Sequence, residues 1–172
     1  VSREPEFRAL DRAASEALLA ACSVGRLAFS HQQQVDVEPV HYVFRDGWIF
    51  GRTQRGTKVT QLAHRPWVAF EVDVVRALFD WESVVVHGRV EFPDPDDGPR
   101  ERDLHARAVT AFRALIPAAF TADDPTPSRT LVFAISVQEL SGRAASPPAS
   151  PPAAPPAAPP AAPPAAPSAD AP

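Results

Sequence analysis

Apolar positions recur along this chain with two different periods, and each change of period marks an element. Leu10, Ala13, Ala14, Ala17, Leu18 and Ala21 fall at helical spacing behind Asp11, a residue suited to capping a first turn, so the pattern predicts an amphipathic helix over 10–22 that stops before Gly25. From Val24 to Ser30 the period drops to two and predicts a strand. Gln32-Gln33-Gln34 reads as a turn, and Val35 to Phe44 as a second strand, with Pro39 where an edge or a bulge would tolerate it. Arg45-Asp46-Gly47 then predicts a tight hairpin turn with positive φ. It would pair 40–44 antiparallel with the alternating run 48–52.

Beyond that run, Val59 and Leu62 predict a short helix over 58–64, ended by Arg65-Pro66 because a residue before proline avoids the helical region. Strands are predicted over 67–73 and 83–92, the second closed by the acidic, proline-rich loop 93–99. Arg100 to Ile116 is the longest helical run, with Leu104, Ala108, Phe112 and Leu115 along one side. The last strand is expected over 130–137, ending near Gly142. Six antiparallel strands joined largely by hairpins, with few helices, imply a mainly β fold: a small closed or nearly closed barrel with flanking helices.

Composition divides the chain in two. From Ala144 onward it is almost only Pro, Ala and Ser, in a Pro-Pro-Ala-Ala repeat that has no large apolar side chain to bury, so residues 144–172 are expected to form an extended, disordered tail. Residues 1–143 suffice for one hydrophobic core. A formal charge of -4 argues against a nucleic-acid backbone binder. No apolar run reaches the roughly twenty residues that a membrane-spanning helix needs, and Val-Ser-Arg-Glu-Pro-Glu does not open like a signal peptide. The single cysteine, Cys22, excludes an internal disulfide and a cysteine-rich zinc site, and a reducing cytoplasm is the simplest compartment. The chain starts at Val1 and lacks methionine, which is compatible with a fragment or with a non-standard initiation codon.

Candidate chemistry concentrates in Arg52-Thr53-Gln54-Arg55-Gly56-Thr57-Lys58, where a strand runs through a basic loop into a helix start. An anion there would meet the Arg52 guanidinium, the Thr53 hydroxyl, the Lys58 ammonium and the free N–H groups of a helix that Thr57 is expected to cap. This is the composition of a phosphate grip. Elsewhere the residue types have plainer readings. Trp48 and Trp67 lie in alternating strands and suit core or interface packing, and Asp94, Asp96 and Asp97 suit a solvated turn. The histidines show no metal-ligand spacing, and no GxSxG, P-loop or GxGxxG sequence occurs.

Taken in order, Val24-Gly25-Arg26-Leu27-Ala28-Phe29, Pro39-Val40-His41-Tyr42, Arg52-Thr53 with Gly56-Thr57-Lys58, Val68-Ala69-Phe70-Glu71-Val72-Asp73, and Trp81-Glu82-Ser83-Val84 with Gly88 resemble the pyridoxamine 5'-phosphate oxidase-like, FMN-binding split-barrel proteins. The similarity spans about 10–143 and lies nearest the small actinobacterial-type branch that includes nitroimidazole-resistance proteins. It implies a six-stranded antiparallel split β-barrel, a homodimer, and FMN at the subunit interface. On this resemblance Arg52, Thr53, Thr57 and Lys58 take the FMN phosphate, Pro39, Val40 and His41 lie along the isoalloxazine, and Trp81, Glu82, Ser83 and Val84 approach the ring or the ribityl chain. His41 departs from relatives that often have Asn there.

The expected function is therefore that of a cytoplasmic, dimeric flavin-dependent oxidoreductase acting on a small molecule, with no catalytic acid or base assigned and no metal. The same fold could instead hold a deazaflavin coenzyme, or serve as a flavin carrier without turnover.

Overall fold

The computed structural model describes residues 4–31 and 34–148. The elements follow as β1 (Glu6–Leu10), α1 (Arg12–Ala21), β2 (Val24–His31), β3 (Gln34–Arg45), β4 (Trp48–Thr53), α2 (Thr57–His64), β5 (Trp67–Ala77), β6 (Asp80–Glu91), α3 (Gly98–Leu115) and β7 (Leu131–Ser146). Asp11 caps α1 as its side chain predicts, accepting a hydrogen bond from Ala14 N at 2.7 Å. The turn after β3 has Asp46 at φ 52° and Gly47 at φ 75°, the left-handed pair that a two-residue hairpin demands. It sets Tyr42 opposite Gly51 and Arg45 opposite Trp48.

All strands are antiparallel, in the order β1-β7-β4-β3-β2-β5-β6, and a further β6–β7 ladder closes β2 to β7 into a six-stranded barrel. The seventh strand, β1, has too little apolar alternation to be read from the sequence. It adds to the far half of β7, pairing Leu10 with Gly142 and Glu6 with Ser146. That pairing also extends β7 past both the expected strand end and the 143/144 boundary, because Ala144 and Ala145 are buried between β6 and β1. The Gln32-Gln33 part of the expected turn and the Pro/Ala repeat of the tail lie outside the described residues.

Leu27, Phe29, Val40, Tyr42, Ile49, Phe70, Val72, Val84, Val86 and Ile135 fill the barrel, joined by Leu19 of α1. A second cluster lies on the other side of β4 and β7, where Phe50, Val132 and Ala134 receive Leu104, Ala108 and Ala111 of α3. The strand period therefore sorts β4 cleanly: Ile49 and Gly51 face the barrel, while Phe50 and Arg52 face α3. β3 outruns β4, since only Tyr42 to Arg45 pair with β4 whereas Gln34 to His41 pair with β2 alone. Pro39 lies in this overhang, where its missing N–H leaves no ladder bond unmade on the β4 side. Among the described residues no helix is long and apolar enough to cross a membrane.

Candidate functional site

Where β4 stops short of the β3 overhang, the chain turns away through Gln54 to Gly56 into α2 and leaves a cleft of about 670 Å³. One wall is Glu38, Pro39 and Val40 of β3. The floor is Arg52 and Thr53, the basic loop and the start of α2 form one rim, and residues 125–129 from the segment between α3 and β7 form the other. Of the residues singled out in the sequence, Pro39, Val40, Arg52, Thr53, Thr57 and Lys58 thus meet around one space. His41 is exposed and lines an adjoining cavity of about 220 Å³, together with Arg52, Phe112, Ile116, Pro125 and Arg129.

The donors are arranged differently from the sequence expectation at two points. Thr57 does not cap α2. Gly56 holds the cap position without a side-chain bond, and Thr57 is the first helical residue, its side chain exposed. Val59 N and Thr60 N bond Gly56 O, whereas the Thr57 and Lys58 N–H groups precede the first intrahelical bonds and are open to an acceptor in the cleft. Lys58, the single lysine of the chain, pairs with Glu38 across the cleft. An incoming anion must compete with that carboxylate.

Arg52 is not a free cation. Facing α3 on the same side as Phe50, it is buried, and its side chain and that of Asp124 are only 2% and 4% exposed. Nη1 contacts Asp124 Oδ2; Nη2 donates to Asp124 Oδ1 at 2.9 Å and to Thr126 Oγ1 at 2.8 Å. The guanidinium carbon also lies over two rings, 5.3 Å from the Phe112 centroid and 5.2 Å from that of Phe120. Asp124 accepts in addition from Phe120 N at 2.7 Å and Thr126 N at 2.8 Å. The Arg52 bonds hold its carboxyl well below the usual carboxylate range, against the opposing effect of desolvation and with help from the two backbone donors.

Two cations complete the cleft, Arg55 of the basic loop, to which the sequence assigns no ligand role, and Arg129, which the sequence does not single out. Arg55 on the loop and Arg129 on the facing rim both line it, and neither forms an ion pair among the described residues. The only sequence signal for Arg129 is a Pro-Thr-Pro-Ser-Arg run before a strand, which says nothing of where its loop folds back.

Trp81, Glu82, Ser83 and Val84 do not line the cleft. They open β6, where Trp81 is half-buried with its ring 6.3 Å from that of Phe7, and Glu82 bonds Arg76. Ser83 Oγ donates to Glu71 Oε1 at 3.1 Å, in a surface network in which Arg26 bridges Glu71 and Asp73. Val84 is fully buried in the barrel, so only its backbone could face a ligand. Burial, followed by the nearby Asp73 and Glu71 charges, pushes the Cys22 thiol up, which keeps it protonated and weakly nucleophilic. Among the described residues no group of His, Cys, Asp and Glu could hold a metal ion.

Residues 11–144 match a family model described as pyridoxamine 5'-phosphate oxidase. An uncharacterized protein of Rhizobium meliloti is 23% identical over 146 residues, 80% of this chain and 95% of that protein. Among solved structures, a protein of Mesorhizobium loti described as FAD-binding superposes with a TM-score of 0.65 at 26% identity, covering 83% of this chain and 99% of its own. A Bacteroides thetaiotaomicron protein described as a putative 5-nitroimidazole antibiotic resistance protein shares the fold, with a TM-score of 0.58 at 15% identity over 81% of this chain and 88% of its own.

Proposed function

Because the chain belongs to the pyridoxamine 5'-phosphate oxidase family, we propose that its cleft holds the phosphate of FMN and that it is a flavin-dependent oxidoreductase acting on a small molecule. The observation that carries this reading is the convergence, in one cleft, of two open helix-start N–H groups, the Thr53 and Thr57 hydroxyls and the Lys58 ammonium. These donors suit a phosphate dianion better than a neutral ligand. A bound flavin would supply the electron transfer; the protein's part is to bind, orient and shield it.

In that role Lys58 exchanges Glu38 for the phosphate, while the helix-start N–H groups fix the phosphate's position without a conformational change. Pro39 and Val40 offer an apolar edge for a flat ring system, and His41 beside them offers an imidazole donor or acceptor to its rim. The arrangement asks no residue to act as acid or base.

We further propose a homodimer. Val35 and Val37 are 73% and 59% exposed on the same face of β3 as Pro39, and Trp67 is 60% exposed nearby, forming an apolar surface that runs up to the cleft. A second copy on that surface would cover it and could bring its own Trp81, Glu82 and Ser83 toward the flavin. A cytoplasmic location accords with the one unpaired cysteine.

FAD is the second reading. The Mesorhizobium loti relative is described as FAD-binding, and Arg55 gives the cleft a cation beyond Lys58 and Arg129 for a second phosphate. The deciding experiment is a visible absorption spectrum of the purified protein with mass spectrometry of the compound released on denaturation, which separates FMN, FAD and a deazaflavin. Lys58→Ala is expected to weaken flavin binding about tenfold or more, since hydrogen bonds to charged groups contribute about 1.5–3 kcal/mol. A colourless chain that takes up neither FMN nor FAD would overturn the proposal. Turnover with NAD(P)H and an added electron acceptor distinguishes an enzyme from a carrier.

A further inference from the structure

Resting on the phosphate reading of the cleft, we propose that Arg52 is a positioning residue and not itself a phosphate ligand: with Asp124 it clamps the 116–130 segment onto β4, and the clamped segment presents Arg129 as a phosphate-facing cation. Three observations converge on it. First, Arg52 engages both terminal nitrogens inside the chain, on Asp124 and Thr126, and its guanidinium carbon lies over the rings of Phe112 and Phe120. Turning it toward a ligand would abandon a buried carboxylate, which is a costly state.

Second, the segment is built around that carboxylate. Asp124 gathers the N–H groups of Phe120 and Thr126 as well as the guanidinium, and Phe120 sits at φ 62°, a left-handed conformation that a bulky side chain adopts only where its surroundings enforce it. The Phe120 N–H bond to Asp124 and the ring's stacking on Arg52 supply that enforcement. Third, five residues after Asp124 the same segment delivers Arg129 to the cleft, with Arg129 N bonded to Thr126 O at 3.0 Å and its side chain free of any carboxylate among the described residues. The chain thus replaces a cation consumed by folding with one supplied by the folded loop.

The two roles for Arg52 predict opposite signs for one substitution. If Arg52 were the phosphate ligand and Asp124 its competitor, Asp124→Asn would free the guanidinium and tighten FMN binding. If the pair is a clamp, Asp124→Asn loosens the segment, withdraws Arg129 and weakens binding. The experiment titrates FMN into the flavin-stripped full chain, following quenching of FMN fluorescence, for the wild type, Asp124→Asn, Arg129→Gln and the double variant. Hydrogen exchange across 117–130 is measured on the same samples without ligand.

The clamp predicts that each single variant loses about tenfold or more in FMN affinity, that the double variant is no worse than about twofold beyond the weaker-binding single variant, and that exchange across 117–130 speeds up in Asp124→Asn and in the double variant but not in Arg129→Gln. Tighter binding by Asp124→Asn, unchanged binding by Arg129→Gln, or unchanged exchange across the segment would each overturn it. Should Asp124→Asn fail to fold, Thr126→Ala removes one of the Arg52 bonds and is expected to shift binding and exchange in the same directions. A wild-type chain that binds no FMN would defeat the flavin reading, and the hydrogen exchange would then decide the clamp by itself.

Discussion

Tyr42 stands on β3 three residues after Pro39, and it ties the strand that walls the cleft to the first helix. Its hydroxyl donates to Leu19 O at 2.6 Å, and both residues are fully buried. Leu19 lies in the last turn of α1, where the N–H of Cys22 already goes to Leu18 O, so among the described residues the Leu19 carbonyl depends on this one side chain. Tyr42→Phe keeps the ring and its edge-on packing against Phe70, 4.8 Å away between centroids, and leaves the carbonyl orphaned. The expected cost at neutral pH is about 1–2 kcal/mol. In a domain of this size that corresponds to a fall in Tm of roughly 2–8 °C.

The same burial raises the Tyr42 pKa well above its ordinary value, with the Cys22 charge adding to the effect. A raised folded pKa means that above about pH 10 the unfolded chain gives up the tyrosine proton while the native state keeps it. The unfolded state then binds fewer protons, and the wild type loses stability by up to about 1.4 kcal/mol per pH unit, a slope that Tyr42→Phe cannot have. Urea unfolding of both proteins at pH 7 and pH 11 measures this, with the midpoint shifting and the m-value unchanged. The gap between them should shrink by about 1 kcal/mol or more from pH 7 to pH 11. A variant as stable as wild type at pH 7, or a gap that stays constant into the alkaline range, would refute the reasoning.

Two further outcomes follow from the structure. Because Arg52 depresses the Asp124 pKa, the native state holds fewer protons than the unfolded chain once the pH falls below about 4. The stabilisation by this group is therefore present above that pH and is lost on acidification, so urea midpoints at pH 5 and pH 3 should fall more steeply for wild type than for Asp124→Asn; equal falls would count against a native carboxylate there. Gly88 sits beside the bulge where β6 shifts register against β7, and a Cβ there would lie 2.0 Å from the backbone oxygen of Ser136 and 3.0 Å from Ile135 Cγ2. Since a backbone atom must give way, Gly88→Ala is expected to destabilise by about 1–3 kcal/mol in urea unfolding, and a neutral result would show that the ladder yields there at no cost.

The barrel was largely legible because its strands alternate with period two and its turns carry explicit chemistry. Asp46-Gly47 announced a hairpin that the structure forms, with Tyr42 to Arg45 paired to β4, whereas Val40 and His41, expected in the same ladder, pair with β2 alone. β1 was not legible: Glu-Phe-Arg-Ala-Leu is mostly exposed and gains its strand conformation only by pairing with β7. For the same reason the end of β7 could not be read from Ala144 and Ala145, small residues whose burial depends on two neighbouring strands.

At the site, local sequence placed Thr53, Thr57 and Lys58 together, because the stretch from a strand end to a helix start is continuous and short. It also carried an unread warning about Arg52. The alternation that sends Phe50 toward a helix must send Arg52 the same way, and a cation under a helix needs a buried partner. That the partner is Asp124, seventy-two residues later, follows from how the 116–130 segment folds back.

What the sequence by itself determined is everything that depends on near neighbours: the elements, the hairpin, the basic loop and the family pattern spread over residues 11–144. What only the tertiary structure decided is which cations remain available. Arg52 is neutralised by a distant carboxylate, Lys58 is shared with Glu38, and Arg129 is brought to the opposite rim with no ion pair among the described residues. A charge acts through its surroundings in space, and those surroundings come from parts of the chain that sequence spacing does not relate.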